Sequence, residues 1–425
     1  MVPSSKFPPP AGEGRVGAQL ERLSAGVDAL LKGNRFYQTR LHPVRTWDDF
    51  ERLPLTTKDE ITADQQTSPP FGTNLTFPIE RYSRLHQTSG TSGTTPLRWL
   101  DTTESWDWWV RIWADHIYRS AGVQSGDRVF FAFSFGPFIG FWSAYAGAER
   151  LGALVIPGGA MTTEQRLRTM IELRATVLCS TPTYAIRLAE AAQAAGIDLA
   201  TSDIRITVHA GEPGASVPAT RDLIERSFVA RCFDHTGMTE LGPTGVSCAA
   251  RDGVHLIESE FVFEVRDDAG TVHSLPETGT ITGELVATNL GRWGSPLIRY
   301  RTGDRVEVTR APCECGSPFA KMLGGIRGRV DDMFTVRGVN LYPSQVENLV
   351  RRHAVIGEFS IEVRSVRGME EVTILCECQG DDGEAAVSQL AKDLRLALGA
   401  RIECRQVAAG SLPRSDLKSR RLRRV

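Results

Sequence analysis

The sequence between His86 and Trp99, HQTSGTSGTTPLRW, contains an unbroken run of Thr, Ser and Gly residues from Thr88 to Thr95. Such a tract is typical of a flexible linker. It also suits phosphate binding, because bare backbone lets N–H groups converge on phosphate oxygens and the hydroxyls add further donors. The loop lacks the lysine ending of a Walker loop and the glycine spacing of a dinucleotide fold. On its own, therefore, it favours neither interpretation.

Three cysteines and one histidine carry side chains that could bind a metal. Cys248 and His255 lie close together in CAARDGVH, and Cys313 and Cys315 form a CEC pair later in the chain. Three thiolates and one imidazole match the ligand set of a closed, structural Zn²⁺ site, which would pin two loops together without taking part in catalysis. Buried free thiols are the alternative. A second CEC pair in a predicted strand shows that this spacing alone does not indicate a metal.

Strands and helices alternate in the middle of the sequence. The short apolar runs DRVFFAF and GALVIPGG flank the helical stretch GFWSAYAGAERLG. The strand-like TVLCSTP and IRITVH flank an alanine-rich helix predicted from Ala185 to Ala195 and repeat the alternation. This order predicts an α/β fold with a mostly parallel sheet covered by helices. Ligands of such sheets gather at the carboxyl ends of the strands, which is where the polar stretches AGEPG and HTGMTE fall.

The two ends of the chain predict smaller elements around this sheet. A helical segment extends from Val16 to Arg40, and the last part of the chain mixes strands with helices over Pro343–Arg352 and Ala385–Leu398. That mixture and size suit a small α+β domain. The predicted domains are a large one over residues 1–330 and a small one over residues 331–425.

The composition excludes several classes of protein. With 425 residues, of which 41% are hydrophobic and 24% charged, the chain has an ordinary globular composition. Its 49 basic and 51 acidic residues nearly balance, so no nucleic-acid surface is expected. No apolar run is long enough for a membrane helix, and the N-terminus lacks a signal-peptide core. We expect a cytoplasmic protein that binds small molecules or proteins, and its eight cysteines are too sparse for a disulfide scaffold.

Four further motifs follow the Thr/Ser/Gly loop, namely AGEP, HTGMTE, YRTGD and GRVDDMFTVRGVNLYP. Together with the loop they resemble, in the same order, the adenylate-forming superfamily of acyl-CoA ligases and their relatives. LPLTTKDEI near the start and LPRSDLK near the end make the chain most similar to the phenylacetate-CoA ligase family. The resemblance implies an enzyme that uses ATP and Mg²⁺ to activate a carboxylic acid as an acyl-adenylate. The acyl group would then pass to the thiol of coenzyme A.

The resemblance also implies roles for individual residues. Glu240 would hold Mg²⁺ as a catalytic residue, since a hard carboxylate oxygen suits that ion, and Thr239 would touch the α-phosphate. Asp304 would accept hydrogen bonds from the ribose hydroxyls, with Arg329 near ribose or phosphate. Taken singly, each could be a surface or turn residue. The residues implied in ATP binding are Ser89, Gly90, Thr91, Ser92, Gly93 and Thr94 at the phosphates, Gly211, Glu212 and Pro213 at adenine, and His235, Thr236, Thr239, Asp304 and Arg329.

Two positions depart from the family pattern. Many relatives carry a lysine after the second glycine of the loop, where this chain has Thr94, and an aromatic residue where it has Thr236. Phosphate binding and adenine stacking would then have to be supplied differently. A nucleotide-binding protein without catalysis is therefore one alternative. The other is a stand-alone adenylating enzyme that loads a carrier protein or another nucleophile.

The aromatic stretch FSFGPFIGFW, Phe133–Trp142, would line the acid pocket in this family. Its composition is equally compatible with core packing. As a pocket lining, Phe135, Phe138 and Phe141 would surround a planar aromatic acid, together with Gly211. Phe141 stands where relatives often have glycine, which predicts a shallower pocket.

The C-terminal segment GSLPRSDLKSRRLRRV is either a solvated basic tail or a catalytic element. LPRSDLK resembles the family's C-terminal motif and makes Lys418 the catalytic lysine. A mobile ammonium that arrives only for adenylation would stabilise the transition state more than the ground state. Asp331, the first acid of GRVDD, matches the family's hinge, about which the small domain turns between the half-reactions.

Overall fold

A computed structural model describes residues 13–88, 96–212, 214–336, 339–366, 369–380, 382–413 and 421–425 of the chain. The α-helices are α1 (Glu13–Gly33), α2 (Trp47–Glu51), α3 (Lys58–Thr67), α4 (Thr103–Ile112), α5 (Arg119–Ala121), α6 (Ile139–Leu151), α7 (Thr163–Glu172), α8 (Pro182–Ala194), α9 (Pro218–Phe228), α10 (Pro343–Val350) and α11 (Gly383–Leu398). A π-helical segment, Trp113–Tyr118, joins α4 to α5.

The strands are β1 (Tyr82–Gln87), β2 (Arg98–Thr102), β3 (Arg128–Phe131), β4 (Leu154–Pro157), β5 (Val177–Ser180), β6 (Ile206–His209), β7 (Arg231–Met238), β8 (Gly242–Ser247), β9 (Val254–Leu256), β10 (Phe261–Arg266), β11 (Val272–Ser274), β12 (Thr280–Asn289), β13 (Tyr300–Thr309), β14 (Lys321–Met322), β15 (Gly328–Arg329), β16 (Phe334–Val336), β17 (Val339–Leu341), β18 (Ile356–Val366), β19 (Met369–Cys378), β20 (Glu403–Val407) and β21 (Leu422–Arg424).

Most predicted elements lie where the sequence places them. Helices α6, α8, α10 and α11 and strands β3 to β6 coincide with the predicted stretches, and the α/β fold class is confirmed. Helix α1 ends at Gly33, earlier than predicted. The reason is Asn34, whose side-chain amide donates to Asn74 Oδ1 at 2.9 Å and Thr76 Oγ1 at 3.1 Å, so the chain leaves the helix there.

The chain forms two compact units. Unit 1 comprises the described parts of Met1–Gly159, His235–Thr302 and Glu307–Leu323, and unit 2 those of Ala160–Asp234, Gly303–Val306 and Gly324–Val425. Each unit is described separately below. The predicted division at residue 330 stays a prediction.

Unit 1 contains a parallel pair, an antiparallel hairpin and an antiparallel sheet. Strands β3 and β4 run parallel, and β1 and β2 form the hairpin. From the end of β7 onwards the strands of this unit pair antiparallel, as β7 does with β8 and β8 with β9. Helix α1 is fixed because Leu23, Val27 and Leu30 bury their side chains against Leu290 and Trp293.

Unit 2 contains the parallel strands β5 and β6 and the first half of β7, with α7, α8 and α9 in the connections. Its second sheet has the strand order β20-β19-β18-β21, in which the central pair is antiparallel and the outer pairs are parallel. Helices α10 and α11 pack on that sheet, and their core includes Val346, Phe359, Ile374 and Leu390. The predicted small α+β structure at the C-terminus is thus present. Among the described residues, no helix is both long and apolar enough to cross a membrane.

Candidate active site

The HTGMTE motif begins on β7 and continues into the turn before β8. His235 is buried, and its Nδ1 lies 3.0 Å from the carbonyl oxygen of Gly245. Burial lowers the pKa of His235 to about 4, although that hydrogen bond opposes the shift. Thr236 is buried as well, with its hydroxyl 3.2 Å from that of Thr244. His235 is therefore neutral near pH 7, and Thr236 does not replace the missing aromatic surface.

Thr239 and Glu240 form the turn between β7 and β8. Their carbonyl oxygens accept hydrogen bonds from Arg292 Nη1, at 2.6 and 3.0 Å. The Glu240 side chain is 9% exposed and has the Lys58 ammonium 3.7 Å from Oε1, which is too far for a hydrogen bond. A buried carboxylate oxygen with so distant a cation is chemically suited to a hard divalent ion.

The Thr/Ser/Gly loop connects the two strands of the β1–β2 hairpin, in which His86 lies opposite Trp99. The hairpin closes at Thr88, whose N–H donates to the Leu97 carbonyl at 3.0 Å and whose hydroxyl accepts from the Leu97 N–H at 3.0 Å. The loop therefore begins at a hydrogen-bonded strand end. The candidate phosphate ligands Ser89, Gly90, Thr91, Ser92, Gly93 and Thr94 lie outside the described residues.

Asp304 and Arg329 come together in unit 2. Asp304 of β13 lies opposite Arg329 of β15, and Arg329 Nη1 is 3.4 Å from Asp304 Oδ1. The preceding Gly303 has a φ of +73°, and a Cβ there would lie 2.6 Å from Arg329 Nη2. The backbone conformation therefore favours glycine, and a side chain at this position would have to displace the Arg329 guanidinium. Two residues predicted near the ribose thus share one strand pair.

The AGEP motif follows β6. Gly211 has a φ of +97°, which favours glycine. Glu212 Oε1 accepts a hydrogen bond from the backbone N–H of Thr183 at 2.8 Å, in the first turn of α8, where the helix dipole favours a carboxylate. Pro213 lies outside the described residues. Because a carboxylate oxygen of Glu212 caps α8, we expect the motif to offer its backbone, more than this side chain, to a base.

The candidate acid-pocket phenylalanines form two groups of rings. Phe141 stacks on Phe133 with centroids 3.9 Å apart and meets Phe138 edge-on at 6.3 Å. Phe135 instead lies against Trp142, at 5.0 Å. Phe133 is buried, whereas Phe135, Phe138 and Phe141 are only half-buried. Incomplete burial of these three rings is compatible with a pocket wall.

Cys248, His255, Cys313 and Cys315 converge in unit 1, with one potential ligand atom each and all four atoms within 4.8 Å of one another. Cys248 Sγ and Cys313 Sγ are 3.6 Å apart, and Cys315 Sγ lies 3.4 Å from His255 Nε2. Zinc bond lengths in a tetrahedron require separations of about 3.8 Å for two sulfurs and about 3.5 Å for sulfur and nitrogen. The observed distances fit those edges.

The imidazole of His255 is oriented by the protein. Its Nδ1 lies 3.0 Å from the carbonyl oxygen of Phe319, so a proton on Nδ1 leaves Nε2 facing the cysteines. Burial lowers the pKa of His255, and the hydrogen bond to Phe319 only partly opposes this shift. The lowered pKa favours the neutral ring that a metal ligand requires. Cys376 and Cys378, which lie on one strand, belong to no such cluster of potential metal ligands among the described residues.

The C-terminal candidates are only partly described. Lys418 lies outside the described residues, and Asp331 belongs to a short 3₁₀ turn, Val330–Asp332. Arg421 is not part of a solvated tail, contrary to one interpretation of the sequence, because its side chain is only 9% exposed and lies between two carboxylates. Its Nη1 is 3.0 Å from Glu347 Oε1 and its Nε is 2.9 Å from Glu358 Oε1. Burial lowers the pKa of Arg421, but these two carboxylates more than reverse that effect.

Sequence reasoning also missed Arg292 and its partner Asp101. Arg292 donates from Nε to Asp101 Oδ1 at 2.7 Å and from Nη2 to Asp101 Oδ2 at 2.8 Å, and both side chains are fully buried. They are 191 residues apart in the chain and belong to no motif. Neither spacing nor composition could have indicated the pair.

The chain resembles known proteins along nearly its whole length. Residues 338–423 match the family model described as an AMP-binding enzyme C-terminal domain. The phenylacetate-coenzyme A ligase of Pseudomonas putida is 30% identical over 94% of this chain and 92% of that protein. The phenylacetate-coenzyme A ligase of Thermus thermophilus is 32% identical over 84% of this chain and 80% of that protein. The solved structure of 2-hydroxyisobutyryl-CoA ligase with 2-HIB-AMP in the postadenylation state has a TM-score of 0.91, 27% identity and coverage of 100% and 94%.

Fold, motifs and similarities define an AMP-forming acid-thiol ligase of the adenylate-forming superfamily, which activates a carboxylic acid as its acyl-adenylate. Within that class, 30% identity over nearly the full length of both proteins shows that the chain belongs to the phenylacetate-CoA ligase family. The predicted superfamily and enzyme class are confirmed. The roles of individual site residues stay predictions.

Proposed function

We propose that the enzyme couples an aromatic carboxylic acid to coenzyme A in two half-reactions. In the first, a carboxylate oxygen attacks the α-phosphorus of ATP, and the bond between that phosphorus and pyrophosphate breaks. In the second, the sulfur of coenzyme A attacks the acyl carbonyl, the bond to AMP breaks and the thiol proton is released. The products are acyl-CoA, AMP and pyrophosphate.

The turn at Thr239 and Glu240 carries this proposal, because its backbone is fixed by Arg292 while a buried carboxylate stands available to a hard cation. Glu240 would hold Mg²⁺, which when bound neutralises charge on the phosphate oxygens. The Thr239 hydroxyl would donate to the α-phosphate. Groups already in place require no rearrangement as charge develops, and such preorganisation lowers the barrier.

The nucleoside would be held by residues of unit 2. Asp304 would accept the ribose hydroxyls, with its carboxylate oriented by Arg329 at 3.4 Å. The backbone at Gly211 would face adenine. Lys418 would supply the mobile cation for adenylation, a role for which an ammonium on a flexible stem is suited. Asp331 would be the hinge of the small domain, residues 331–425.

The acid would lie against Phe135, Phe138 and Phe141. Half-buried rings offer flat apolar surface to a planar acid, and the relatives with full-length similarity bear the name phenylacetate-coenzyme A ligase. A small branched hydroxy acid is the competitor suggested by the name 2-hydroxyisobutyryl-CoA ligase. Phe141→Gly should deepen the pocket and shift preference towards larger aromatic acids.

Acid-dependent exchange of labelled pyrophosphate into ATP tests the first half-reaction. We expect exchange with phenylacetate- or benzoate-sized acids to exceed exchange with 2-hydroxyisobutyrate and long-chain fatty acids. Glu240→Gln is the control for the site and should lose on the order of 10²-fold in rate. If none of the tested acids supports exchange, the result would favour a nucleotide-binding protein without catalysis. Preference for fatty acids would exclude the aromatic pocket.

The acceptor is tested by a second assay on the same enzyme. Wild-type protein loaded with the preferred acid is offered coenzyme A, a phosphopantetheinylated carrier protein or neither. Rapid thioester formation with coenzyme A supports the proposal. Transfer to the carrier protein alone would favour a stand-alone adenylating enzyme.

We also propose that Cys248, His255, Cys313 and Cys315 hold a structural Zn²⁺. Their separations fit a tetrahedron, and the Phe319 carbonyl fixes the ligating nitrogen of His255. The ion would tie the loop at Cys313 to β8 and β9. Metal analysis of the native protein should find one zinc per chain. Cys313→Ser should lose the zinc and unfold more readily, whereas the control Cys378→Ser should retain it. Native protein without stoichiometric zinc would contradict this assignment.

A further inference from the structure

The Asp101–Arg292 pair is an ion pair without solvent access. Nε and Nη2 of Arg292 meet the two oxygens of Asp101 at 2.7 and 2.8 Å, and neither side chain is exposed. This fork-to-fork geometry is the strongest that an arginine forms with a carboxylate. Burying two charges is costly, so such a pair is weak ground for stability by itself. The value of the pair therefore depends on the groups that its geometry holds in place.

The remaining amino group of Arg292 points to the turn between β7 and β8. Nη1 donates to the carbonyl oxygens of both Thr239 and Glu240, at 2.6 and 3.0 Å. Two adjacent carbonyls held by one nitrogen fix the backbone orientation of the turn. That orientation determines where the Thr239 hydroxyl and the Glu240 carboxylate can reach.

Asp101 anchors the other end of this contact in the β1–β2 hairpin. It lies on β2, opposite Arg84 of β1. His86, also on β1, places its Nδ1 3.8 Å from Asp101 Oδ2. A single bridge therefore connects the β1–β2 hairpin to the Thr239–Glu240 turn.

A role in packing is the competing explanation. The guanidinium carbon of Arg292 lies 5.5 Å from the ring of Trp99 and 5.1 Å from that of Trp109, so the side chain also fills apolar space. Packing alone would be served by an apolar residue of similar volume. It would not require bidentate pairing with Asp101 or donation to two carbonyls of one turn.

We propose that Asp101 and Arg292 are positioning residues for adenylation. They hold the Thr239–Glu240 turn, which would bind Mg²⁺ and the α-phosphate, in one orientation relative to the β1–β2 hairpin. This inference rests on the proposed function of the Thr239–Glu240 turn. It adds two residues, outside all the motifs, whose effect is exerted through other groups.

Unit 1 provides a matched control in Arg299. This arginine is also buried and bidentate, with Nε and Nη2 at 3.0 and 2.7 Å from the oxygens of Glu264. Its Nη1 likewise donates to backbone carbonyls, those of Glu51 and Leu53. Arg299→Lys thus disrupts the same chemistry away from the Thr239–Glu240 turn.

The variants are Arg292→Lys, Asp101→Asn and Arg299→Lys, each in the full chain. Lysine keeps the charge but lacks the planar fork with which Arg292 reaches both oxygens of Asp101 and the two carbonyls. A misplacement of about 1 Å can cost on the order of 10²-fold in rate. We expect such a fall in the kcat of pyrophosphate exchange for Arg292→Lys, with transfer from preformed acyl-adenylate close to wild type. Arg299→Lys should lower the unfolding temperature similarly and leave the kcat of exchange within a few-fold.

A double-mutant cycle with Glu240→Gln separates positioning from general damage. If Arg292 acts through the turn, adding Arg292→Lys to Glu240→Gln should cost far less than Arg292→Lys alone. Additive losses in the double variant would overturn the inference while leaving the proposed function intact. Equal losses in the rate of pyrophosphate exchange for Arg292→Lys and Arg299→Lys would do the same.

Calorimetry gives a result that does not depend on turnover. The affinity for ATP is measured with Mg²⁺ and with the chelator EDTA. Arg292→Lys should lose most of the gain in affinity that Mg²⁺ provides, and Arg299→Lys should keep it. This comparison decides the inference even if no tested acid supports exchange. Retention of the full gain in Arg292→Lys would contradict it, and absence of ATP binding by wild type would overturn both proposals.

Discussion

Arg292 in unit 1 and Arg421 in unit 2 are both little-exposed arginines that pair with carboxylates, but their other partners differ. Arg292 binds one carboxylate and two backbone carbonyls. Arg421 binds the carboxylates of Glu347 and Glu358 and lies 3.3 Å from the Thr183 hydroxyl. One arginine fixes a backbone turn, whereas the other is fixed between side chains.

The difference indicates two ways of presenting a catalytic group. Carbonyl oxygens do not titrate and are part of the turn itself, so Arg292 holds Thr239 and Glu240 in one orientation. Arg421 follows Lys418 by three positions in the sequence, and its carboxylate partners anchor the end of the segment that carries the lysine. We therefore expect changes in unit 1 to alter the geometry of the bound nucleotide. Changes near the C-terminus should alter the delivery of Lys418.

The largest effect should follow removal of the lysine itself. Lys418→Ala should slow adenylation by on the order of 10²-fold or more, the usual cost of one lost transition-state contact. The same protein should transfer the acyl group from preformed acyl-adenylate at near wild-type rate, as measured by single-turnover thioester formation. Asp331→Pro should show the reverse pattern, because proline restricts the backbone torsion of the predicted hinge.

Equal slowing of both half-reactions in Lys418→Ala would contradict the division of labour. It would mean that the lysine is structural. No effect on either half-reaction would restore the solvated-tail interpretation for this part of the segment.

A smaller effect is expected for the anchor. Arg421→Gln leaves Glu347 and Glu358 with the more distant Arg351, at 3.8 and 3.7 Å. We expect roughly a tenfold loss in adenylation, because the segment that carries Lys418 is then less firmly anchored. Arg423→Gln is the control, since Arg423 is half-exposed and lies 3.9 Å from Glu362, a surface pair of little energetic value. Pyrophosphate exchange measures both variants. Similar rates for the two would remove the distinction between them.

The smallest effect concerns pH and involves one histidine in each unit. Burial lowers the pKa of His209 in unit 2 and of His235 in unit 1 to about 4. The unfolded chain, with a histidine pKa of about 6.5, therefore binds protons first as pH falls, and stability is lost. Each histidine should cost about 1 kcal/mol of unfolding free energy between about pH 7 and about pH 5.5.

Urea unfolding at the two pH values tests this estimate. His209→Gln should reduce the pH dependence of the unfolding free energy by about 1 kcal/mol, whatever its effect at neutral pH. An unchanged pH dependence would show that His209 does not remain neutral in the folded protein.

How much could be predicted from the sequence depends on distance along the chain. Apolar runs such as those of β5 and β6 and the alanine-rich helix α8 are local patterns, and the structure has them where predicted. The antiparallel pairing after Gly242 was not predicted, because register is set by contacts between distant strands. Helix α1 ended early through the side-chain contacts of Asn34, which no periodicity reveals.

The candidate sites divide in the same way. The four metal-site residues could be named from ligand chemistry, and their convergence agrees with that choice. Asp101 and Arg292 could not, because a buried ion pair between residues 191 positions apart leaves no local signal. Arg421 was hidden in a run of basic residues whose usual location is the surface.

The most direct measurement of the central claim is acid-dependent pyrophosphate–ATP exchange by the wild-type protein, followed by addition of coenzyme A. Exchange should require Mg²⁺, should be fastest with an aromatic acid of phenylacetate size, and should give way to acyl-CoA and AMP when coenzyme A is added. Glu240→Gln should abolish most of both signals. ATP binding without exchange across the acid panel would contradict the account.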